Sequence, residues 1–178
     1  MDDYGVSPEE GVVKMERVLP GPIERVWAYL TESDLRRQWL AGGDMELRQG
    51  AEFEWLFKHS EFTDEEPPAK YCEMNENGHK SPGRVIRCEP PHALAITWGG
   101  TGEDASEVLF ELAPQGDEVL LTLTHRRLPN RGEMANVGSG WHAHLNALRT
   151  RLNGEVVTDF WASIAKLAPE YKEKFGVE

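Results

Sequence analysis

Apolar and polar residues alternate through the first half of this chain and take up helical spacing at its flanks. Val13 and Met15 face one way and Lys14 and Glu16 the other, which predicts a strand over Val12–Leu19. Pro20-Gly21-Pro22 stops it. Pro22 suits the first turn of a helix through Thr31, whose stripe is Ile23, Val26, Trp27 and Leu30. Ser33-Asp34 opens a second short helix ending near Trp39-Leu40, before Gly42-Gly43. Phe53, Trp55 and Phe57 then alternate with Glu54, Leu56 and Lys58. Residues 61–80 are polar, carry Pro67-Pro68 and read as a long loop. Strands follow at Gly83–Glu89 and Ala93–Trp98 around Pro90-Pro91, and at Ser106–Leu112 and Glu118–Arg126 around a Pro114–Asp117 hairpin. Val119, Leu121, Leu123 and His125 share one face of the last of these.

The longest periodic stretch is Asn130–Gly154. Trp141, Leu145, Leu148 and Leu152 recur at spacings of four, three and four, with His144 on the same face. Gly138 and Gly140 lie inside it, and each weakens a helix by roughly 1 kcal/mol relative to alanine. Their retention predicts a close neighbour, a bend or open space, with the covering helix proper starting near Gly140. Val157–Lys166 adds a stripe of Phe160, Trp161, Ile164 and Leu167, which Pro169 is expected to interrupt before a last turn over Tyr171–Phe175. That stripe suits either the chain's own sheet or a second copy in a homodimer.

Charge narrows the partners. With 31 acidic and 19 basic residues the net charge is −12, and the basic pairs Arg126-Arg127 and Arg149–Arg151 are short. Nucleic acid is thereby disfavoured as a partner. No apolar run approaches the length of a membrane span, so membrane insertion is not expected. Cys72 and Cys88 form no CxxC pair and the start shows no basic-then-apolar signal region, which reads as a cytoplasmic protein with free thiols.

The order is one strand, two short helices, about six antiparallel strands and a long helix. A sheet with one apolar face needs a cover, and only the long helix has the length. Arg17 through Trp27, Leu35 through Leu40, Leu123 through Pro129 and Gly140 through Leu145, in that order and spacing, resemble the helix-grip (SRPBCC) superfamily of START-like domains. The branch they are most similar to is the C-terminal domain of the activator of Hsp90 ATPase. The resembling segments span residues 12–154, about four-fifths of the chain. The resemblance implies an α+β helix-grip fold: a curved antiparallel sheet of six or seven strands around a long C-terminal helix, with two short helices between the first two strands. Residues 1–10 are then expected as a flexible arm and 11–178 as one domain, with 61–80 an irregular insert and 156–176 a helical extension.

Such a fold implies a cavity between sheet and helix, holding a hydrophobic or amphipathic small molecule without catalysis or cofactor. Two other readings stay open: a stress-related or chaperone-regulating interaction module, and a cyclase- or hydratase-like enzyme using a pocket histidine. The expected ligand-binding set is Arg17, Phe53, Trp55, Trp98, Phe110, His125, Val137, Trp141 and His144. His125 and His144 have inward parity and can orient a ligand or sit satisfied in the core. Arg17 has the parity of Val13 and Met15. It either reaches solvent or meets Glu52, Glu54, Glu107 or an anionic ligand. The aromatics serve as core and cavity wall alike. No nucleophilic triad is legible, and Cys72, His79, Cys88 and His92, spaced by seven, nine and four, match no zinc pattern. No metal is therefore expected.

Overall fold

The computed structural model describes residues 3–178. Strand β1 (Val13–Pro20) leads into helices α1 (Ile23–Thr31) and α2 (Ser33–Arg36). Then come β2 (Glu52–Phe57), α3 (Cys72–Asn77), β3 (His79–Glu89), β4 (Ala93–Trp98), β5 (Ser106–Gln115), β6 (Glu118–Arg126), α4 (Arg131–Leu152) and α5 (Phe160–Lys174). The six strands form one antiparallel sheet in the order β1-β6-β5-β4-β3-β2. This is the expected helix-grip architecture.

Alternation dictates which side is core. Along β1 burial is strictly alternate, and Val13, Met15, Arg17 and Leu19 all point inward. Leu121 and Leu123 of β6, Val108 and Phe110 of β5, and Leu94 and Ile96 of β4 continue the same apolar face. Helix α4 covers it with the predicted stripe: Trp141, Leu145, Leu148 and Leu152 are all buried. Its N-terminus is capped by the Asn130 side chain, which accepts from the Glu133 N–H at 2.8 Å.

Several expectations are corrected. Helix α4 runs unbroken through both glycines, so it begins at Arg131 and not near Gly140. Gly138 is instead a close-approach site, since a Cβ there would lie 2.8 Å from Tyr171 Cδ1 on α5. A Cβ at Gly140 would meet nothing within 4 Å. Pro169 does not interrupt α5. Pro169 and Ala165, whose carbonyl loses its donor to the proline, are both on the exposed side, where water can serve that carbonyl. Residues 61–80 are less irregular than expected: Ala69–Tyr71 is a short 3₁₀ turn, α3 follows, and β3 begins at His79, where it pairs with Phe57.

The expected flexible arm is docked where it is described; residues 1 and 2 lie outside the described residues. Val6 bridges to Lys14, the Gly5 N–H donates to the Tyr171 hydroxyl at 2.7 Å, and Asp3 accepts from Arg149 at 2.9 Å. The Arg149 hydrogen bond holds the Asp3 carboxyl below its ordinary range against the opposing effect of burial. Arg17 finds its partners here and not at Glu52, Glu54 or Glu107. It donates to the Asp3 carbonyl at 2.6 Å and to Asn146 Oδ1 at 3.4 Å, with the Asp3 carboxylate 3.8 Å away.

The two glycines are therefore expected to respond to alanine with opposite signs. The Tyr171 ring is fully buried and held through its hydroxyl by Gly5 and His142, so it cannot yield cheaply to a methyl at 138. Gly138→Ala should cost about 1–3 kcal/mol by overpacking, whereas Gly140→Ala should gain up to about 1 kcal/mol of helix propensity. Urea midpoints of the two variants against wild type measure this, and equal signs would refute the packing assignment.

Candidate functional site

A cavity of about 450 Å³ lies between the β2–β4 end of the sheet and the two long helices. Trp55, Phe57 and Trp98 line it from the strands. Val137, Gly140, Trp141 and His144 line it from α4, one to two turns of a single helix face. Trp161 and Ile164 of α5 close the opposite side. His59, Tyr71 and Met74 enter from the segment between β2 and β3, where Tyr71 stacks on Trp161 with ring centroids 5.0 Å apart. His79, Gly99 and Asn136 are exposed and form the rim, with Ser81 just inside them. No Asp, Glu, Lys or Arg lines it among the described residues.

The aromatic wall is self-supporting. Trp98 packs at 5.4 Å from Trp55 and 4.9 Å from Trp141, so the strand and helix sides meet through edge and tilted ring contacts. Beneath Trp55 lies the buried Arg36 guanidinium, 5.1 Å from the ring centre. It donates to the carbonyls of Leu30, Thr31, Ala41 and Gly43, and burial pushes its pKa down to about 10.

Of the nine expected ligand-binding residues, the structure gathers five at the cavity: Trp55, Trp98, Val137, Trp141 and His144. The other four are not in its wall. Phe53 packs edge-on behind Trp55 at 5.0 Å, and Phe110 packs edge-on against Trp141 at 5.8 Å. Arg17 is engaged by the N-terminal segment, as described above. His125 is completely buried and accepts the Trp141 indole N–H at Nδ1 at 3.0 Å, while Nε2 meets Ser106 Oγ at 2.8 Å. It is a satisfied core histidine.

His144 is different. Its Nδ1 lies 2.8 Å from the Trp39 carbonyl, so in the neutral ring Nδ1 carries the hydrogen and Nε2 is left with its lone pair. His59, missed by the sequence reading because it sits in a polar segment, faces it with ring centroids 5.5 Å apart. Burial lowers His144 to about 4, partly opposed by the Trp39 bond. Burial lowers His59 to about 3, with further depression from His144. Both rings are thus neutral at physiological pH. Among the described residues neither His125 nor His144 is hydrogen-bonded to a carboxylate.

Three wall residues carry a buried polar atom with no hydrogen-bond partner among the described residues: Trp55 Nε1, His59 Nδ1 and Trp161 Nε1. Tyr71, Met74, Trp161 and Ile164 were also outside the expected set. For Trp161 and Ile164 the apolar stripe was legible, but its destination was not.

The sequence profile of the family described as "Activator of Hsp90 ATPase homolog 1-like protein" matches residues 20–153. The chain is 44% identical to the protein encoded by gene BPP1335 from Bordetella parapertussis, over 97% of this chain and 91% of that one, with a TM-score of 0.83. CalU16 from Micromonospora echinospora has 22% identity over 92% of this chain and 88% of that one, with a TM-score of 0.68. MLL2253 from Mesorhizobium loti has 23% identity over 82% and 99%, with a TM-score of 0.62. These last two establish a shared fold. No curated protein matches the chain.

Stability should fall in acid because of the buried histidines. In the unfolded chain each titrates near 6.5, while in the fold His125, His142 and His144 lie near 4 and His59 near 3, all chiefly through burial. Between those values the unfolded chain takes up protons that the folded one refuses. Each such histidine therefore removes about 1.4 kcal/mol per pH unit as pH drops below about 6.5, and the loss levels off below the folded pKa. Denaturant midpoints should be flat above about pH 7 and fall steeply beneath it, and His125→Gln should reduce the slope. A midpoint unchanged down to about pH 5 would contradict neutral burial.

Proposed function

The chain belongs to the activator of Hsp90 ATPase homolog 1-like family, and on that premise we propose that it is a binding module for a hydrophobic small molecule held between the sheet and α4, without catalysis. The observation that carries this reading is the cavity itself. At about 450 Å³, with an aromatic wall, no ionised side chain and a few polar atoms, it has the size and chemistry of a small-molecule site.

Two features speak against the enzyme reading. His125 spends both ring nitrogens on structural bonds, and His144 has no carboxylate to raise its basicity. The membrane plays no part in the proposal: among the described residues no helix is long and apolar enough to cross one.

The neutral fluorophore N-phenyl-1-naphthylamine tests the reading by direct titration, with native mass spectrometry of the purified protein alongside for co-purified ligand. Wild type should bind it saturably with one site per chain. Gly140→Leu projects a side chain into open cavity space from a helical position that leucine favours. It should weaken binding about tenfold or more, a loss of at least ~1.4 kcal/mol, with the urea midpoint at or above that of wild type. Absence of saturable binding, or equal affinity in Gly140→Leu, would overturn the proposal.

A further inference from the structure

The cavity wall combines a fixed acceptor, an adaptable neighbour and an absence of charge. The fixed acceptor is His144. Because its Nδ1–H is committed to the Trp39 carbonyl, the ring cannot present a donor to the cavity without surrendering that bond. Its Nε2 has no hydrogen-bond partner among the described residues, and the ring is partly exposed on the cavity wall. The adaptable neighbour is His59, whose ring makes no hydrogen bond among the described residues and is free to hold its hydrogen on either nitrogen.

Charge selects further. An anionic ligand would find no lining Lys or Arg among the described residues, and the Arg36 behind Trp55 spends its donors on carbonyls and cannot reach it with a hydrogen bond. A cationic ligand would find aromatic rings but no lining carboxylate. Without such a carboxylate the charge would lose its hydration and gain no ion pair in exchange. The same rings suit a flat aromatic molecule sliding between sheet and helix.

We infer that His144 is a specificity-determining residue, and that the cavity takes an uncharged, flat aromatic molecule bearing a hydroxyl whose hydrogen is received by His144 Nε2. This rests on the cavity-binding reading above. A hydroxyl fits the pair better than a pure donor, because its oxygen can also accept from an N–H of His59. An ether or ketone in the same place leaves the His144 lone pair without a hydrogen and loses the bond.

A matched ligand series decides it on the intact protein. 2-Naphthol, 2-methoxynaphthalene, 2-naphthoate and 2-naphthyltrimethylammonium share one ring system and differ in donor and charge. By calorimetry or tryptophan quenching, 2-naphthol should bind about three- to tenfold tighter than the methyl ether. Both charged probes should bind weaker than either neutral one. His144→Phe keeps an aromatic ring but no acceptor, and should bring the naphthol-to-ether ratio close to one. The ratio measured in wild type carries the test even if that variant folds poorly. Equal or tighter binding of the ether, tighter binding of a charged probe, or a ratio unchanged in folded His144→Phe would overturn the inference while leaving the cavity reading standing. Failure of all four probes to bind would overturn both.

Discussion

Trp141 reaches from the long helix to the sheet through its indole N–H, which His125 accepts at 3.0 Å. That acceptance places the imidazole hydrogen on Nε2, which donates to Ser106 Oγ at 2.8 Å, and the serine hydroxyl donates to the Trp98 carbonyl at 3.1 Å. One chain of hydrogen bonds, buried at its Trp141–His125 end, thus ties α4 to β6, β5 and β4 in turn. Every member has one correct orientation, and breaking any link strands buried polar groups at about 1–3 kcal/mol each. Sliding α4 along the sheet would break the first link, the Trp141–His125 bond, and leave His125 Nδ1 without its donor. The register of helix against sheet is therefore discrete, and with it the positions of Gly140 and His144, one residue before and three after Trp141.

A helix pinned this way covers one end of the sheet closely and leaves the β2 end to be walled by something else. Helix α5 and the segment between β2 and β3 supply that wall, and they hold each other. Asp159 gives α5 no side-chain cap. The Glu65 carboxylate instead accepts from the N–H groups of Trp161 and Ala162 at 2.6 and 2.8 Å, placing an anion at the positive end of the helix. Arg151 of α4 donates to the Phe62 carbonyl at 3.2 Å, so the same segment is tied to the covering helix. Residues 61–80 are a structural wall of the cavity as well as an excursion from the sheet.

What was legible in the sequence follows the range of the interaction responsible. Strand parity and helical spacing are local, and they placed β1, β4, β6 and the buried face of α4 closely. Arg17 shows the limit: its inward parity was readable, but its partners Asp3 and Asn146 lie 14 and 129 residues away. His125 and His144 looked alike, each on an apolar face. Only the positions of Ser106, Trp141 and Trp39 in space make one a core residue and the other a cavity residue. Gly138 and Gly140 also looked alike, yet one receives a tyrosine ring and the other faces open space. His59, Tyr71 and Met74 were hidden because a polar segment carries them singly, with no period to reveal them.

The interior holds charge as guanidinium groups, placed behind its apolar walls. The two most buried guanidiniums, Arg17 and Arg36, lie on opposite sides of the core, and both lean heavily on backbone carbonyls. At Arg36 carbonyls take up the donors in place of an anion. Arg36 uses four of them, from Leu30 and Thr31 at the end of α1 and from Ala41 and Gly43 beyond α2, and supports Trp55 from behind. With carbonyls doing this task, neutral His59 and His144 are the main polar groups of the inner wall. Hydrogen bonding and shape, not ion pairing, are then left to discriminate between ligands.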